Sequence, residues 1–502
     1  MADAVADAVP PLGGETATAA ALDAMFTLSS AYLVFFMHCG FAMLSVGSVR
    51  ARFSKHICIL ILLDACASAI GFYLFGYALA YGDAGSPNSF IGGRTYFAMS
   101  DLPAAGPAFA PQYYQWLFQW SFAATACTIV SGAIAERTRF EAYFAYSFFM
   151  AAWVYPVVVH SIWSPAGWAN MGRSTGPLLA GTGAIDFAGS GAVHMVGGLA
   201  AAAGALIVGP RIGRFLPDGT VVNMPGHNSS LFILGVMILW FGWYGFNPGS
   251  QQAIVGASHF AAVSNAAVTT TLAPAAAGLS ALLIGALESK VKTGKAMYGV
   301  ENMGNGALSG LAAITASCNV VYPWAAIAIG TVAGALYTVA SKLSIRMRLD
   351  DPLDAVAVHA YNGMWGVIAA GLFSSKKLVE QSYGTGTPDA PILRRDGAFL
   401  GGGGGQLAAQ LAYLCWVAAW VIGNMAPFWF ILKKLGFLRV PSDEEIVGLD
   451  HSYHGGSAYP GGPEELEDPS TKAGGGGGGK ELAGIKAELA ALKAAVAKVS
   501  TA

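Results

Sequence analysis

Two histidines lie deep in apolar sequence, and each follows an aspartate by eight residues. The first unit runs from Asp186 to His194, and the second runs from Asp351 to His359. An ionisable side chain at membrane depth is costly, so it marks a functional site by default. A neutral imidazole offers one hydrogen-bond donor and one acceptor. One such histidine alone would be interpreted as a packing residue, but a matched pair favours a polar line through an apolar passage.

The composition predicts that these histidines belong to a membrane protein. The 502-residue chain is 55% hydrophobic and only 11% charged, with a mean hydropathy of +0.52. A soluble domain carries about 25% charged residues. Apolar runs of about 20 residues recur, so we expect an all-α, polytopic helical fold. The net charge of −2 gives no indication of a nucleic-acid partner.

Eleven predicted spans organise the chain. Their expected ranges are 25–48, 56–82, 112–135, 140–162, 188–209, 229–248, 258–287, 301–318, 322–344, 355–373 and 404–432. Lysine and arginine concentrate in the loops after odd-numbered spans, for example Arg50, Arg137 and Arg211. Because positive loops stay in the cytoplasm, we expect the N-terminus outside and the C-terminus inside.

This topology predicts an inverted repeat. His194 lies in span 5 and His359 in span 10, so five spans separate the two units and their directions are opposite. Two inverted five-helix repeats place a shared site at their interface near the pseudo-two-fold axis.

The chain ends divide into further predicted segments. Residues 1–24 are expected to be an extracellular N-terminal segment before a transport domain over 25–432. Residues 433–473 are polar and predicted to form a cytoplasmic regulatory tail, and 474–479 is a glycine linker. Residues 480–502 predict an amphipathic helix with a heptad-like stripe, which either self-associates or lies on a surface.

Several motifs in chain order resemble those of the ammonium transporters, in their plant and algal type-1 branch. The resemblance covers about residues 25–460. Its motifs are Phe118–Phe122, Gly132–Arg137, Trp163 before Gly167, Asp186–His194, Gly242–Ser250, Asp351–Asp354 before His359, and the tail stretch Gly448–Gly456.

The resemblance implies roles for the outer residues. Trp163, Phe122 and Ser250 are expected to form an extracellular recruitment site, since aromatic faces attract a cation and a hydroxyl accepts a hydrogen bond. A lone tryptophan near a span end is otherwise an interfacial anchor. Phe122 and Phe246 match a stacked phenyl gate that denies passage to a hydrated ion.

The resemblance also implies roles within the pore. His194 and His359 match a twin-histidine pore. Asp186 is expected to act structurally and electrostatically rather than as a direct ligand. Asp351 and Asp354 are its inward counterparts, although a helix-start role for Asp351 fits equally well.

The tail motif implies regulation. Ser452 occupies the place of a phosphorylatable residue, so we expect a kinase to act there and close the pore. His451 and His454 are interpreted as solvated, because a metal site would lack further ligands. A homotrimer in the plasma membrane is also implied by the resemblance.

The leading hypothesis is a high-selectivity transporter that moves charge inward with ammonium, and methylammonium is the expected analogue. An electroneutral ammonia channel and an ammonium sensor remain alternatives. An enzyme is not expected, because no span carries a metal-binding histidine cluster. No cofactor, metal ion or nucleic acid is expected.

Overall fold

The fold is a bundle of helices that cross one another at close range. The computed structural model describes residues 14–82, 88–93, 95–100, 110–173, 176–387 and 390–459. We number the long helices in chain order. They are α1 Gly14–Ser48, α2 Ala51–Tyr81, α3 Ala110–Ile134, α4 Phe140–Trp163, α5 Ser190–Val208, α6 Ser229–Phe246, α7 Ala257–Thr293, α8 Val300–Ile314, α9 Pro323–Arg346, α10 Val356–Phe373 and α11 Gly405–Lys434.

Each predicted span corresponds to one of these helices. Within the described ranges, ten helices are long and apolar enough to cross a membrane. The remaining long helix, α8, has only 15 residues, which gives it a length of about 22 Å at 1.5 Å per residue. The all-α, polytopic prediction is therefore confirmed, whereas the count of eleven crossings and the orientation stay predictions. The non-helical additions include two paired strands, β1 Gly386–Thr387 and β2 Ala390–Pro391.

The helix α8 is short because the residues at and after its end form hydrogen bonds with the loop that precedes α5. Ala316 O accepts from Phe187 N at 2.9 Å, and Thr315 O accepts from Ala188 N at 3.1 Å. Ser190 Oγ donates to Ala312 O at 2.7 Å and accepts from Ala316 N at 2.7 Å. These bonds replace the helical ladder after Ile314 and hold the loop that leads into α5.

The helix pair α2 and α4 in the first half of the bundle and the helix pair α7 and α9 in the second half both pack with their backbones in close contact. Gly76 of α2 would place a Cβ 2.3 Å from Ala151 O of α4. In the second half, Gly334 of α9 would place one 2.2 Å from Ala277 O of α7. Only glycine allows backbones to approach this closely. After a shift of five helices α2 and α4 correspond to α7 and α9, so the corresponding helix pair packs closely in both halves. The glycine lies on α2 in the first half and on α9, the counterpart of α4, in the second.

Both histidine helices begin with a wide turn. Residues Ser190–Met195 of α5 and Val356–Tyr361 of α10 are π-helical, and each turn contains the histidine. Gly198 of α5 would place a Cβ 2.2 Å from Ala360 N of α10, so the two helices touch where they cross. Wide turns of this kind are frequent at functional sites.

The described chain ends are helical, and the predicted division of the ends into functional segments stays a prediction. Because α1 begins at Gly14, no helix boundary occurs at residue 25. After α11 the chain forms two short helices, α12 Ser442–Val447 and α13 Leu449–His454. The glycine linker 474–479, the predicted helix 480–502 and residues 460–473 lie outside the described residues.

Candidate functional site

An outer cavity of about 450 Å³ opens above the centre of the bundle. Trp163, Phe122 and Ser250, the predicted recruitment residues, all line it. Asp186 lines it as well and is the one carboxylate among the described lining residues, which include neither lysine nor arginine. The cavity is therefore suited to a small cation rather than an anion.

The recruitment residues are held by hydrogen bonds to backbone. Trp163 Nε1 donates to Asp186 O at 2.8 Å, which orients the indole. Ser250 Oγ donates to Phe246 O at 2.8 Å. With its hydrogen engaged, the Ser250 hydroxyl faces a guest as an acceptor only. The Trp163 and Phe122 rings meet edge to face, with centroids 5.9 Å apart.

Two phenyl rings close the floor of the cavity. The centroids of Phe122 and Phe246 lie 4.0 Å apart at an interplanar angle of 30°, so the rings are stacked. Both side chains are fully buried. Stacked rings leave no hydrogen-bonding path for water between them, so a hydrated ion would have to lose its shell to pass.

The histidine pair continues the axis below the phenyl rings. The His194 ring is stacked under Phe246 with centroids 5.5 Å apart, and the His359 ring follows at 5.2 Å. The two Nδ1 atoms lie 3.3 Å apart. When one Nδ1 donates, the other must accept, so this contact sets complementary tautomers of two neutral rings.

Trp243 also touches this pair, which the sequence motif did not assign. Its ring stacks on His194 with centroids 5.1 Å apart, and its Nε1 donates to Thr315 Oγ1 at 3.1 Å. The signal was available, since Trp243 lies three residues before Phe246 in the Gly242–Ser250 motif. The tryptophan packs against one side of the histidine pair.

A smaller cavity lies on the other side of the histidines. It has a volume of about 20 Å³, and His359 lines it together with residues of α1, α3 and α8. About 10–15 Å³ is enough for one water-sized molecule. The cavity is therefore large enough for one molecule the size of water or ammonia.

The two acids of the Asp-x7-His units perform the same local task. Asp186 Oδ2 accepts from Gly191 N at 3.1 Å and from Ala192 N at 2.8 Å. Asp351 Oδ2 accepts from Val356 N at 2.7 Å. Each carboxylate satisfies free N–H groups at the start of a histidine helix. The spacing of eight residues thus places each imidazole in the π-helical turn that begins a capped helix.

Asp354 takes a different position from the other two acids. Its carboxylate accepts from Tyr337 Oη at 2.9 Å and from Ser341 Oγ at 3.0 Å, both on α9. The backbone φ of +57° is uncommon for a non-glycine residue. Asp354 ties the start of α10 to α9, and only Asp351 is the geometric counterpart of Asp186.

A buried cluster of ion pairs lies at the helix ends opposite the outer cavity. Glu136 pairs with Arg50 at 2.5 Å and with Arg211 at 3.2 Å. Arg211 also pairs with Asp350 at 2.9 Å, and Arg214 lies 3.3 Å from the same carboxylate. Burial alone would raise the pKa of Asp350, but hydrogen bonds from Arg211 and its charge lower that pKa to about 2. The cluster therefore connects Arg211, just after the end of α5, to Asp350, the residue that precedes the capping acid Asp351.

Sequence reasoning used these arginines only to predict the orientation. Glu136 belongs to a recognised motif, but Asp350 had no assigned role. The spacing of these acids and arginines does not reveal which of them pair, because the members of each pair are at least 75 positions apart in the sequence. The pairing is decided by the tertiary fold.

The polar tail is docked against this same face. Asp450 is fully buried, and its carboxylate accepts from Lys55 N at 3.0 Å and His56 N at 2.9 Å at the start of α2. His454 Nε2 lies 3.0 Å from His56 Nδ1. The interpretation of His454 as simply solvated is therefore wrong, because its ring packs against a buried histidine.

A second tail contact reaches the end of α5. Glu445 Oε1 accepts from Ile212 N at 2.8 Å, and its carboxylate pairs with Arg439. Arg439 in turn donates to Val208 O at 3.1 Å and Pro210 O at 2.7 Å. The tail thereby satisfies carbonyl groups at the C-terminal end of the His194 helix.

Ser452 lies on the solvent-exposed side of the docked tail. The residue is exposed, and its Oγ donates to Gly448 O at 3.2 Å within α13. The hydroxyl is therefore accessible to a modifying protein while Asp450 of the same helix is buried.

Comparisons with known proteins agree with this arrangement. Residues 24–459 match the family model described as Ammonium Transporter Family. The chain is 44% identical over 458 residues to "Ammonium transporter 1 member 3" of Solanum lycopersicum, covering 90% of this chain and 96% of that protein. It is 46% identical over 424 residues to "Ammonium transporter 1 member 1" of Arabidopsis thaliana, covering 83% and 81%.

Solved structures have the same fold. One described as "Sensor Amt Protein" superposes with a TM-score of 0.74 at 32% identity, covering 87% of this chain and 99% of that one. The crystal structure of Candida albicans Mep2 gives a TM-score of 0.70 at 28% identity, covering 84% and 87%.

Proposed function

The chain belongs to the Ammonium Transporter Family, and from this premise we propose that it carries ammonium across the plasma membrane with high selectivity and net inward charge movement. The observation that supports the proposal is one continuous axis. Along it lie an aromatic cavity that contains the Asp186 carboxylate, a stacked phenyl pair, two hydrogen-bonded imidazoles and a small inner cavity.

Recruitment is the first proposed step. Ammonium and potassium are similar in size, so radius alone selects poorly between them. Ammonium differs because its N–H bonds donate hydrogen bonds in fixed directions. The ring faces of Trp163 and Phe122 attract a cation, an interaction worth about 2 kcal/mol or more when desolvated. The Ser250 hydroxyl accepts one N–H, and the Asp186 charge adds negative potential.

Deprotonation is the second proposed step. At the phenyl pair one N–H bond breaks, its electron pair stays on nitrogen, and the proton moves to a solvent water molecule in the open outer cavity. Neutral ammonia then passes Phe122 and Phe246 and hydrogen-bonds along His194 and His359. The Nδ1–Nδ1 contact of the imidazoles offers the proton a separate route towards the cytoplasmic side, where ammonia also emerges. Ammonia and the proton recombine in the cytoplasm, so each cycle moves one charge.

The decisive experiment measures current and uptake together. In oocytes that produce the chain, we expect a saturable inward current with ammonium and a smaller one with methylammonium. The ratio of charge to labelled methylammonium taken up should be close to one. Uptake without current would overturn the electrogenic step and establish the alternative, an electroneutral ammonia channel.

A sensor is the second candidate function. It is favoured by the structural similarity to the protein described as "Sensor Amt Protein" and by a docked tail that touches the start of α2 and the end of α5. Ammonium binding with neither current nor uptake would establish it over transport. Transport together with a tail that changes its protease sensitivity on ammonium binding would support both roles.

Tail regulation is part of the proposal. A phosphate on Ser452 adds about −1.5 to −2 charges to a six-residue helix that already places Asp450 against α2. Burial raises the pKa of Asp450, while hydrogen bonds from Lys55 and His56 oppose the shift. Additional negative charge beside this carboxylate disfavours its buried position. A kinase would thus release the tail from α2 and α5 and close the pore.

We also propose a homotrimer with one pore per subunit, from the family resemblance. The described helices expose many large apolar side chains, including Phe241, Val339 and Leu283, which lipid or a second subunit can cover. Cross-linking in native membranes should yield dimer and trimer bands. A protein that remains a monomer under those conditions would contradict the assembly.

A further inference from the structure

One face of α3 contributes four residues to the outer cavity. Gln115, Phe118, Gln119 and Phe122 all line it. Their positions i, i+3, i+4 and i+7 fall on one side of a helix. Two of the four residues carry rings that suit a cation. The other two carry amides, which have no role in the recruitment site described above.

The amide oxygen of Gln119 is buried and has no hydrogen-bond partner among the described residues. The exposed fraction of the residue is 5%. A buried amide without a hydrogen bond is costly. A guest in the cavity can therefore satisfy this group.

Tyr81 brings a second unpartnered oxygen to the same cavity. The residue lies at the end of α2 and lines the cavity. Its hydroxyl is buried and has no hydrogen-bond partner in the described part of the chain. A phenolic oxygen can both accept and donate, so it too can bind an N–H group.

The recruitment site alone offers ammonium few acceptors. The Ser250 hydroxyl can accept, but its hydrogen is used by Phe246 O. The Trp163 N–H is a donor and is used by Asp186 O. Ammonium has four N–H groups to satisfy. Additional neutral acceptors near the rings would match that requirement and would offer less to methylammonium, which has three.

We propose that Gln119 and Tyr81 are specificity-determining residues of the outer cavity, where their oxygens accept N–H hydrogens from ammonium. The inference rests on the proposed transport function and deepens it. The two residues complement the ring faces, because rings attract any cation whereas directed acceptors favour one that donates hydrogen bonds.

The first test replaces the amide with an apolar side chain of similar size. Gln119→Leu should raise the half-saturating ammonium concentration roughly tenfold or more, which is the effect of losing one hydrogen bond to a charged group. The value for methylammonium should rise less, so the preference for ammonium over methylammonium should fall. Gln119→Glu keeps an acceptor oxygen and should restore most of the affinity.

The chain supplies a matched control for this variant. Gln112 lies on the same helix and also has a buried, unpartnered Oε1, but it is absent from the cavity lining. Gln112→Leu should leave both half-saturating concentrations within about twofold of the unaltered protein. Surface abundance is measured for every variant, so that a folding defect is separated from a binding defect.

The second test removes a single oxygen atom. Tyr81→Phe should weaken ammonium uptake at low concentration and reduce the preference over methylammonium. Tyr155→Phe is the control, since the Tyr155 hydroxyl is equally buried and unpartnered but Tyr155 does not line the cavity.

Unchanged affinity and unchanged selectivity in both Gln119→Leu and Tyr81→Phe would overturn the inference. A loss of affinity that is equal for ammonium and methylammonium, and is not restored in Gln119→Glu, would also overturn it, since that pattern indicates a structural role. The proposed function fails separately, if the unaltered chain gives neither ammonium current nor uptake.

Discussion

Tyr413 Oη donates to Asp186 Oδ2 at 3.0 Å, so the last long helix touches the acid that caps the His194 helix. The same carboxylate oxygen accepts two backbone N–H groups of α5. This contact connects α11, the outer cavity and the pore histidine through one buried group.

Removing that phenol provides the first prediction. Tyr413→Phe removes one of the hydrogen bonds that Asp186 accepts, and a hydrogen bond to a charged group contributes about 1.5–3 kcal/mol. We expect a lower unfolding temperature in detergent and a smaller maximal ammonium current. Tyr383→Phe serves as the comparison, because Tyr383 lines the same cavity, whereas the hydroxyl hydrogen-bonded to Asp186 is that of Tyr413. Equal behaviour of the two variants would show that the Tyr413 contact has no special effect.

The histidine pair provides the second prediction. His194→Ala or His359→Ala removes one member of the hydrogen-bonded pair, so the passage loses part of its polar line. We expect ammonium current to fall at least tenfold, or potassium to be admitted, since the remaining cavity no longer offers matched donors and acceptors. Ammonium and potassium currents in the same oocytes measure both outcomes.

A control for the histidine variants lies in α1. His38 is also a buried histidine, with Nδ1 3.1 Å from Phe35 O, but it does not line the outer or inner cavity described above. His38→Ala should keep the ammonium preference. Normal transport and normal potassium exclusion in both pore variants would disprove the twin-histidine pore.

The ion-pair cluster provides a prediction about stability and pH. Asp350→Asn leaves the buried Arg211 with one carboxylate partner fewer, and breaking a buried pair costs about 3–5 kcal/mol. The folded pKa of about 2 is below the usual value of about 3.9. The stabilisation is therefore present above about pH 4 and is lost as the pH falls towards 2.

Thermal unfolding in detergent between pH 5 and 8 tests this prediction. The difference between the unaltered protein and Asp350→Asn should stay constant over that range. Glu380→Gln is the control, since its pair with Lys376 is solvent-exposed and such pairs contribute at most about 1 kcal/mol. A difference that grows or disappears between pH 5 and 8 would contradict the depressed pKa.

Ser452 provides the regulatory prediction. Ser452→Asp should reduce ammonium current at least tenfold at unchanged surface abundance, and Ser452→Ala should stay active. Ser457→Asp adds the same charge five residues further along the tail, beyond α13, and should have a much weaker effect. Full activity of the Ser452→Asp protein would exclude the switch.

The sequence alone determined the class of the protein and the identity of its central residues. Apolar runs of membrane length, with so few charges, leave no other stable arrangement of the backbone than helices in lipid. The duplicated Asp-x7-His units identified His194, His359 and their acids because such residues are rarely tolerated at membrane depth. Phe122, Trp163, Phe246 and Ser250 followed from motifs and not from physical periodicity.

Only the tertiary structure decided which residues meet. Trp243 and Tyr413 looked like ordinary apolar-helix residues, because a ring in a span has the same pattern whether it faces lipid, core or pore. The early end of α8 depends on hydrogen bonds that Ser190 forms more than 100 positions away. The docked tail depends on Asp450 and Glu445 finding free N–H groups at distant helix ends, and no local spacing encodes those contacts. Local composition determines where the helices form. Which distant polar groups form hydrogen bonds with one another is determined only when the helices pack.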